Sequence, residues 1–276
     1  MDKYCVLGNP VEHSKSPWIH ARFAELTGQR LEYGKRLIPL DGFARGLQAF
    51  RAEGGRGCNI TVPFKFEAAP LATTLTPRAL LAQACNTLRF DAGAAVFADN
   101  TDGVGLVNDI QRNAGVALAG RELLLVGAGG AAAGVLGPLI EAAPRRIVIC
   151  NRSPDKALAL VQRHAALARE YGVELASAAL DAPGVGFDVV VNASASSLSG
   201  AGVPVPDSVL KPGCLAVDMM YGAPAQAFMD WARRHGAQPR DGLGMLVEQA
   251  AEAFLVFRGV RPDSARVLAE LRASLG

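Results

Sequence analysis

At 276 residues, half of them hydrophobic and a fifth charged, the chain is long enough to bury one large core or two modest ones, and two domains are expected. The formal net charge of +2 comes from interspersed Lys and Arg, which excludes the basic footprint of a nucleic-acid binder and leaves a small anionic ligand possible. Charged residues or Gly interrupt every apolar run, so no membrane partner is expected; the N-terminus lacks the basic and apolar regions of a signal peptide, and cytoplasmic location is the default.

The first elements alternate. Tyr4 to Leu7 reads as a buried strand, and Ser16-Pro-Trp-Ile-His20 opens a helix with Pro in its first turn. Leu31 to Leu40 predicts a second strand, Phe43 to Ala52 a helix, and Gly57 to Val62 a third strand running into Pro63. This pattern predicts an α/β sheet with parallel strands. Thr101 to Gly115 predicts a helix, and Gly115 and Gly120 mark the exit into a new unit.

There Arg121 to Val126 is a buried-strand pattern, Ala131 to Ala143 a small-residue helix, Arg146 to Cys150 a strand and Pro154 to Glu170 a helix. This is a βαβα run of Rossmann type. Strands at Asp188–Val191 and Cys214–Val217 follow, with helices between and after them, and Met245 to Phe257 predicts a long apolar helix able to pack back on the first domain. The expected class is α/β: an N-terminal α/β domain (1–103), a Rossmann-type domain (104–239), and C-terminal helices (240–276) closing on the first domain.

The five cysteines are scattered with no C-x-x-C spacing, and the four histidines have neither helical pairing nor a nearby cysteine or carboxylate cluster. No metal is expected, and the cysteines read as small buried hydrophobes.

Gly127-Ala128-Gly129-Gly130-Ala131 ends a predicted strand and opens a predicted helix, the context in which glycines bring backbone N–H groups and a helix dipole to a pyrophosphate. At the end of the next strand, where NAD sites carry an acidic residue, stands Asn151-Arg152-Ser153, with Lys156 one turn on. Arg152 suits a 2′-phosphate, which an acid would repel, so NADP is the expected cofactor.

Two polar clusters precede that turn: Asn59-Ile-Thr-Val-Pro-Phe-Lys65 and Asp99-Asn-Thr-Asp-Gly103. A hydride carrier needs a neighbour that trades a proton with the reacting oxygen, and Lys65 and Asp102 are the candidates. Phe64 and Phe66 are expected to shield Lys65 from water. A lone lysine at a strand end more often snorkels into solvent, and it is the company that shifts the balance. Ser14 and Ser16, in the first strand-to-helix loop, suit a carboxylate; Asn59, Thr61, Asn86 and Asp102 suit a polyhydroxylated ring.

At these residues the chain resembles the shikimate dehydrogenases nearly end to end. The resemblance rests on Gly8-Asn-Pro-Val-Glu-His-Ser-Lys-Ser-Pro17, the two polar clusters, Asn86-Thr87, the glycine turn, Asn151-Arg-Ser153 and Asp241-Gly-Leu-Gly-Met-Leu246. It implies reversible NADPH-dependent reduction of 3-dehydroshikimate to shikimate, a step toward chorismate and the aromatic amino acids, by a monomer or homodimer. It also implies that Lys65 and Asp102 are catalytic and that Ser14 and Ser16 hold the substrate carboxylate. Asn59, Thr61, Asn86, Asp102 and Gln249 would hold the ring hydroxyls, Tyr221 would add a phenolic hydrogen bond, and Met219 and Gly242 would flank the nicotinamide. Three positions depart from the family pattern: Pro77 for a common Glu, Ala133 for a common Arg, and Ser197 for a common Gly. A preference for quinate or an amino analogue stays open within the family, as does a non-catalytic NADP-binding regulator, against which the intact Lys65 and Asp102 speak.

Overall fold

The computed structural model describes residues 1–194 and 203–275. The chain divides into two compact units, Met1–Gly105 with Leu246–Gly276, and Leu106–Met245. Ser197 lies outside the described residues.

The first unit runs β1 (Asp2–Gly8), α1 (Ser16–Thr27), β2 (Leu31–Leu37), α2 (Phe43–Ala52), β3 (Gly55–Ile60), α3 (Lys65–Ala68), β4 (Thr74–Leu75), α4 (Pro77–Ala82), β5 (Thr87–Phe90) and β6 (Val96–Asp99). The expected second and third strands end early, at Leu37 and Ile60, before Pro39 and Pro63, which have no N–H for a ladder. The sheet order is β2-β1-β3-β5-β6-β4. Its first three strands are parallel, as expected, but β5 pairs antiparallel with both β3 and β6, so the sheet is mixed. A short turn through Gly93 at φ +66° joins β5 to β6, and a connection that short allows only antiparallel pairing.

One face of this sheet buries Cys5, Leu7, Cys58, Ile60 and Leu88 against Phe43, Leu47 and Phe50 of α2. The other takes α9 (Leu243–Arg258), whose Phe257 ring meets Tyr4 at 4.7 Å and whose Phe254 meets Phe23 of α1 at 5.7 Å. A final helix, α10 (Ser264–Leu275), follows.

The helix expected at 101–115 is α5 (Asp102–Asn108) followed by a π-helical turn, Asp109–Asn113. The fully buried Asp109 carboxylate accepts from Arg240 Nε at 2.7 Å and Asn113 Nδ2 at 3.0 Å. Gly244 must be glycine here, because a Cβ would lie 1.8 Å from Asp109 Oδ1.

The second unit continues with β7 (Glu122–Val126), α6 (Gly130–Glu141), β8 (Arg146–Cys150), α7 (Pro154–Glu170), β9 (Glu174–Ala178), β10 (Phe187–Asn192), β11 (Leu210–Asp218), α8 (Gln226–Arg234) and β12 (Gln238–Arg240). All pairs in the order β12-β11-β10-β7-β8-β9 are parallel, which is the Rossmann arrangement with its reversal of strand order beside β7. Among the described residues between β10 and β11 there is a 3-10 turn, Asp207–Val209, and 195–202, in the stretch where a helix is expected, lies outside the described residues. Leu124, Val148, Val190 and Ala216 form the core with Phe228 and Trp231 of α8. No described helix is long and apolar enough to cross a membrane.

Candidate active site

In the first unit the polar residues singled out from the sequence converge at the carboxyl ends of β1 and β3 and the end of β6. Lys65 is the first residue of the short helix α3, and its ammonium donates to Asp102 Oδ2 at 2.5 Å; the two side chains are 16% and 6% exposed. The shielding is not the expected one. Phe64 turns into the core and stacks on Phe43 at 5.0 Å, while Phe66 is 44% exposed, because residues two apart at a helix start lie about 200° apart around its axis and face opposite sides. Lys65 is sheltered beside the carboxylate it binds, and α3 begins two residues after Pro63.

Asp102 Oδ1 accepts from Asn86 Nδ2 at 2.8 Å, and the same amide group reaches Thr101 Oγ1 at 2.9 Å and Gln249 Oε1 at 3.3 Å. Asn86 Oδ1 in turn accepts from the Thr101 backbone N–H at 2.9 Å. This buried amide thus orients the loop carrying Asp102. Asn59 Nδ2 donates to the Asn86 carbonyl at 3.1 Å and Thr87 Oγ1 at 2.9 Å. Gln249 comes from α9, and Gly105 permits the approach, since a Cβ there would lie 2.6 Å from Gln249 Cβ.

Ser14 and Ser16 sit at the start of α1, where the Ser16 N–H donates to Ser14 Oγ at 3.3 Å; Lys15 at the N-cap makes no side-chain cap. The sequence reading missed Tyr33. Its hydroxyl donates to Asn59 Oδ1 at 2.7 Å and lies beside Ser16, its ring stacks on His20 at 4.1 Å, and burial pushes its phenol well above the ordinary value. A single Tyr in a strand has no local signature, so only the pairing of β2 with β1 reveals it. Thr61 follows β3, its backbone N–H on the Leu7 carbonyl at 2.9 Å and its methyl filling the space that a Cβ on Gly8 would take.

In the second unit Val126, Cys150 and Asn192 are neighbours in register, so the loops after β7, β8 and β10 emerge side by side. Gly127 has φ +115°, and a Cβ there would lie 2.9 Å from the Ala193 carbonyl carbon and oxygen. Gly129, the N-cap of α6, is exposed, and a Cβ on it would meet none of the described residues within 4 Å. Packing against the described residues therefore does not require that glycine, and the uncapped N-terminus of α6, flanked by Gly130 and Ala131, offers backbone N–H groups that suit a phosphate. Arg152, Ser153 and Lys156 are exposed at the start of α7, and Asn151 Nδ2 ties the loop to the Ser153 carbonyl at 3.0 Å. This arrangement fits a phosphorylated dinucleotide.

Gly242 packs on the loop after β11: its N–H donates to the Met220 carbonyl at 2.8 Å, and a Cβ would lie 2.3 Å from the Met219 carbonyl oxygen. Met219 and Gly242 are thus adjacent, with the half-buried Tyr221 two residues on from Met219. Ala133 is fully buried in α6. Pro77 stands in the first turn of α4, whose N-cap Thr76 accepts from the Ala79 N–H at 3.3 Å, a position where Pro costs no hydrogen bond.

Comparison with known proteins decides the family. Residues 6–88 match the shikimate dehydrogenase substrate binding domain, 109–199 the shikimate / quinate 5-dehydrogenase model, and 242–272 the shikimate 5'-dehydrogenase C-terminal domain. A shikimate dehydrogenase (NADP(+)) from Acidovorax sp. (strain JS42) is 68% identical over 274 residues, covering 99% of this chain and 97% of the relative. The chain belongs to the shikimate dehydrogenase family. Among solved structures of similar fold, an Ael1 enzyme from Pseudomonas putida is 45% identical with a TM-score of 0.89, covering 98% of both chains. Shikimate 5-dehydrogenase from Thermus thermophilus, solved with NADP(H) and shikimate, is 30% identical with a TM-score of 0.83, covering 99% of both.

Proposed function

We propose that the chain catalyses the reversible NADPH-dependent reduction of 3-dehydroshikimate to shikimate, in the route to chorismate and the aromatic amino acids. The observation that carries this reading is the Lys65–Asp102 ion pair, 2.5 Å long and sheltered from water, in a chain 68% identical to a shikimate dehydrogenase (NADP(+)). NADPH, when bound, supplies the hydride. Lys65 gives a proton to the C3 carbonyl oxygen during reduction and recovers it in the reverse direction, while Asp102 holds the ammonium in place and contacts the substrate.

Ser14 and Ser16 bind the substrate carboxylate at the start of α1, and Asn59, Thr61, Asn86 and Gln249 bind ring hydroxyls. Tyr221 adds a phenolic hydrogen bond, and Met219 and Gly242 flank the nicotinamide. The turn Gly127-Ala128-Gly129-Gly130-Ala131 takes the pyrophosphate, and Arg152, with Asn151, Ser153 and Lys156, takes the 2′-phosphate. The same reading places the enzyme in the cytoplasm as a monomer or homodimer, without nucleic-acid or membrane partners.

Initial rates with purified protein, pairing NADP or NAD with shikimate or quinate in all four combinations, test substrate and cofactor together. Fast reduction of NADP by shikimate alone is expected. Activity chiefly with NAD or quinate overturns the cofactor or substrate assignment, and silence in all four overturns the enzyme reading.

A further inference from the structure

A buried ionic bracket lies directly behind Asp102. Asp99, the last residue of β6, is 1% exposed, and both its carboxylate oxygens are gripped by Arg78 of α4: Nε donates to Oδ1 at 2.7 Å and Nη2 to Oδ2. Thr76 Oγ1 also donates to Asp99 Oδ1, at 2.6 Å, and so does the Asn100 backbone N–H, at 2.7 Å. From Asn100 the chain of bonds continues forward. Its side-chain oxygen accepts from the Asp102 N–H at 3.2 Å, and its amide nitrogen is anchored on the Ala84 carbonyl at 2.9 Å. The Asp99 carbonyl accepts from the Asn86 N–H at 3.1 Å, tying in the residue whose side chain holds Asp102 Oδ1.

The bracket has a second arm. Arg78 Nη2 also reaches Glu252 Oε1 at 3.2 Å, and Glu252 lies on α9 three residues from Gln249, whose Oε1 faces Asn86 and Thr101. One guanidinium therefore ties the loop carrying Asp102 to the helix carrying Gln249. Only a planar fork with several N–H groups can hold two carboxylate oxygens and a third acceptor at once. Burial pushes the Asp99 carboxyl up, but Arg78, Thr76 and the Asn100 N–H outweigh it and leave the group below its ordinary value, so the carboxylate is charged and available to the loop amide.

We propose that Arg78 is a positioning residue for the reaction, acting through Asp99 and Asn100 to set the place of Asp102. This rests on the reading of Lys65 and Asp102 as the catalytic pair. Arg78 touches neither of them, so the part of its effect carried by Asp99 and Asn100 passes through Asp102 and disappears when Asp102 no longer works, whereas the arm through Glu252 to the helix of Gln249 would persist.

The test is a double-mutant cycle with Arg78→Ala and Asp102→Asn, reading kcat per folded protein, with thermal unfolding measured alongside. Arg78→Ala is expected to lower kcat by about ten- to a hundredfold, and in the Asp102→Asn background the same change is expected to lower it by less than about twofold. Added methylguanidinium should restore part of the kcat of Arg78→Ala, which a role confined to holding the fold would not allow. If Arg78→Ala fails to fold, Arg78→Lys carries the test: it keeps the charge but not the fork, and a kcat at least about threefold below the parent is expected. A kcat equal to the parent in the folded variants, with only the unfolding midpoint lowered, overturns the proposal. If Asp102→Asn is itself fully active, it is the assignment of the catalytic pair that fails.

Discussion

Replacing Lys65 by Met removes the ammonium while keeping most of the aliphatic stem. Among the described residues, Lys65 Nζ is the hydrogen-bond partner of Asp102 Oδ2, and Asn86 serves only Oδ1. The variant thus leaves one oxygen of a carboxylate that is 6% exposed without its donor. Breaking a largely buried pair from one side costs about 3–5 kcal/mol, and at 16% exposure of Lys65 the lower end of that range is expected. Loss of a positioned general acid lowers kcat about 10²- to 10⁴-fold, which is roughly 3–5 kcal/mol of transition-state stabilisation. Initial rates of NADP reduction by shikimate at saturation read the second quantity, and thermal unfolding reads the first. Shikimate affinity, measured by calorimetry, should weaken less than about tenfold, since the carboxylate and hydroxyl partners remain. A Lys65→Met enzyme that folds and turns over within about threefold of the parent would refute the proton-transfer role, however much its stability had changed.

At the cofactor turn, Gly127→Ala places a Cβ 2.9 Å from the Ala193 carbonyl at φ +115°, and the strain, about 1–3 kcal/mol, should lower the unfolding midpoint and weaken NADP binding in a fluorescence titration. Unchanged NADP affinity would show that the turn does not carry the pyrophosphate. Arg152→Ala should lower kcat/KM with NADP by on the order of tenfold or more and spare the activity with NAD; equal losses with both cofactors would exclude a 2′-phosphate contact. His20 is 1% exposed among Phe23, Tyr33, Phe254 and Phe257, and both its ring nitrogens are without hydrogen-bond partners among the described residues. Burial pulls its pKa down to about 3 from an ordinary value of 6.5. The unfolded chain therefore binds the extra proton between those values, so this group makes stability fall as pH drops from 6.5 toward 3 and has no effect above. His20→Phe should lose less of its unfolding midpoint between neutral and acid pH than the parent does, and parallel losses would refute the assignment.

Local sequence determined what depends on a few neighbouring residues. The helix at Phe43–Ala52, the strand at Arg146–Cys150 and the helix at Pro154–Glu170 stand where the pattern puts them, because apolar period, Pro in a first turn and flanking glycines act within one or two turns of chain. The glycine turn was legible for the same reason: at φ +115° the step from strand to helix needs a glycine at Gly127. Lys65 and Asp102 could be nominated from their polar surroundings.

Their contact was for the tertiary structure to decide. The two are 37 residues apart, and what joins them is the pairing of β5 with β3 and β6, strands of four to six residues, too short for alternation to announce. The same pairing makes the sheet mixed and brings Asn86 under Asp102. Tyr33 reaches Asn59 across a strand pairing, and Gln249 reaches Asn86 over 163 residues of chain, contacts that no local pattern encodes. The Phe rings beside Lys65 show the same limit within three residues. Which of two neighbouring side chains is buried follows from the surface available to cover it, and the stacking surface of Phe43 drew Phe64 inward and left Phe66 in solvent. Hydrophobic period and turn chemistry are short-range and can be read along the chain, whereas register, burial and the meeting of charges depend on which distant segments the core brings together.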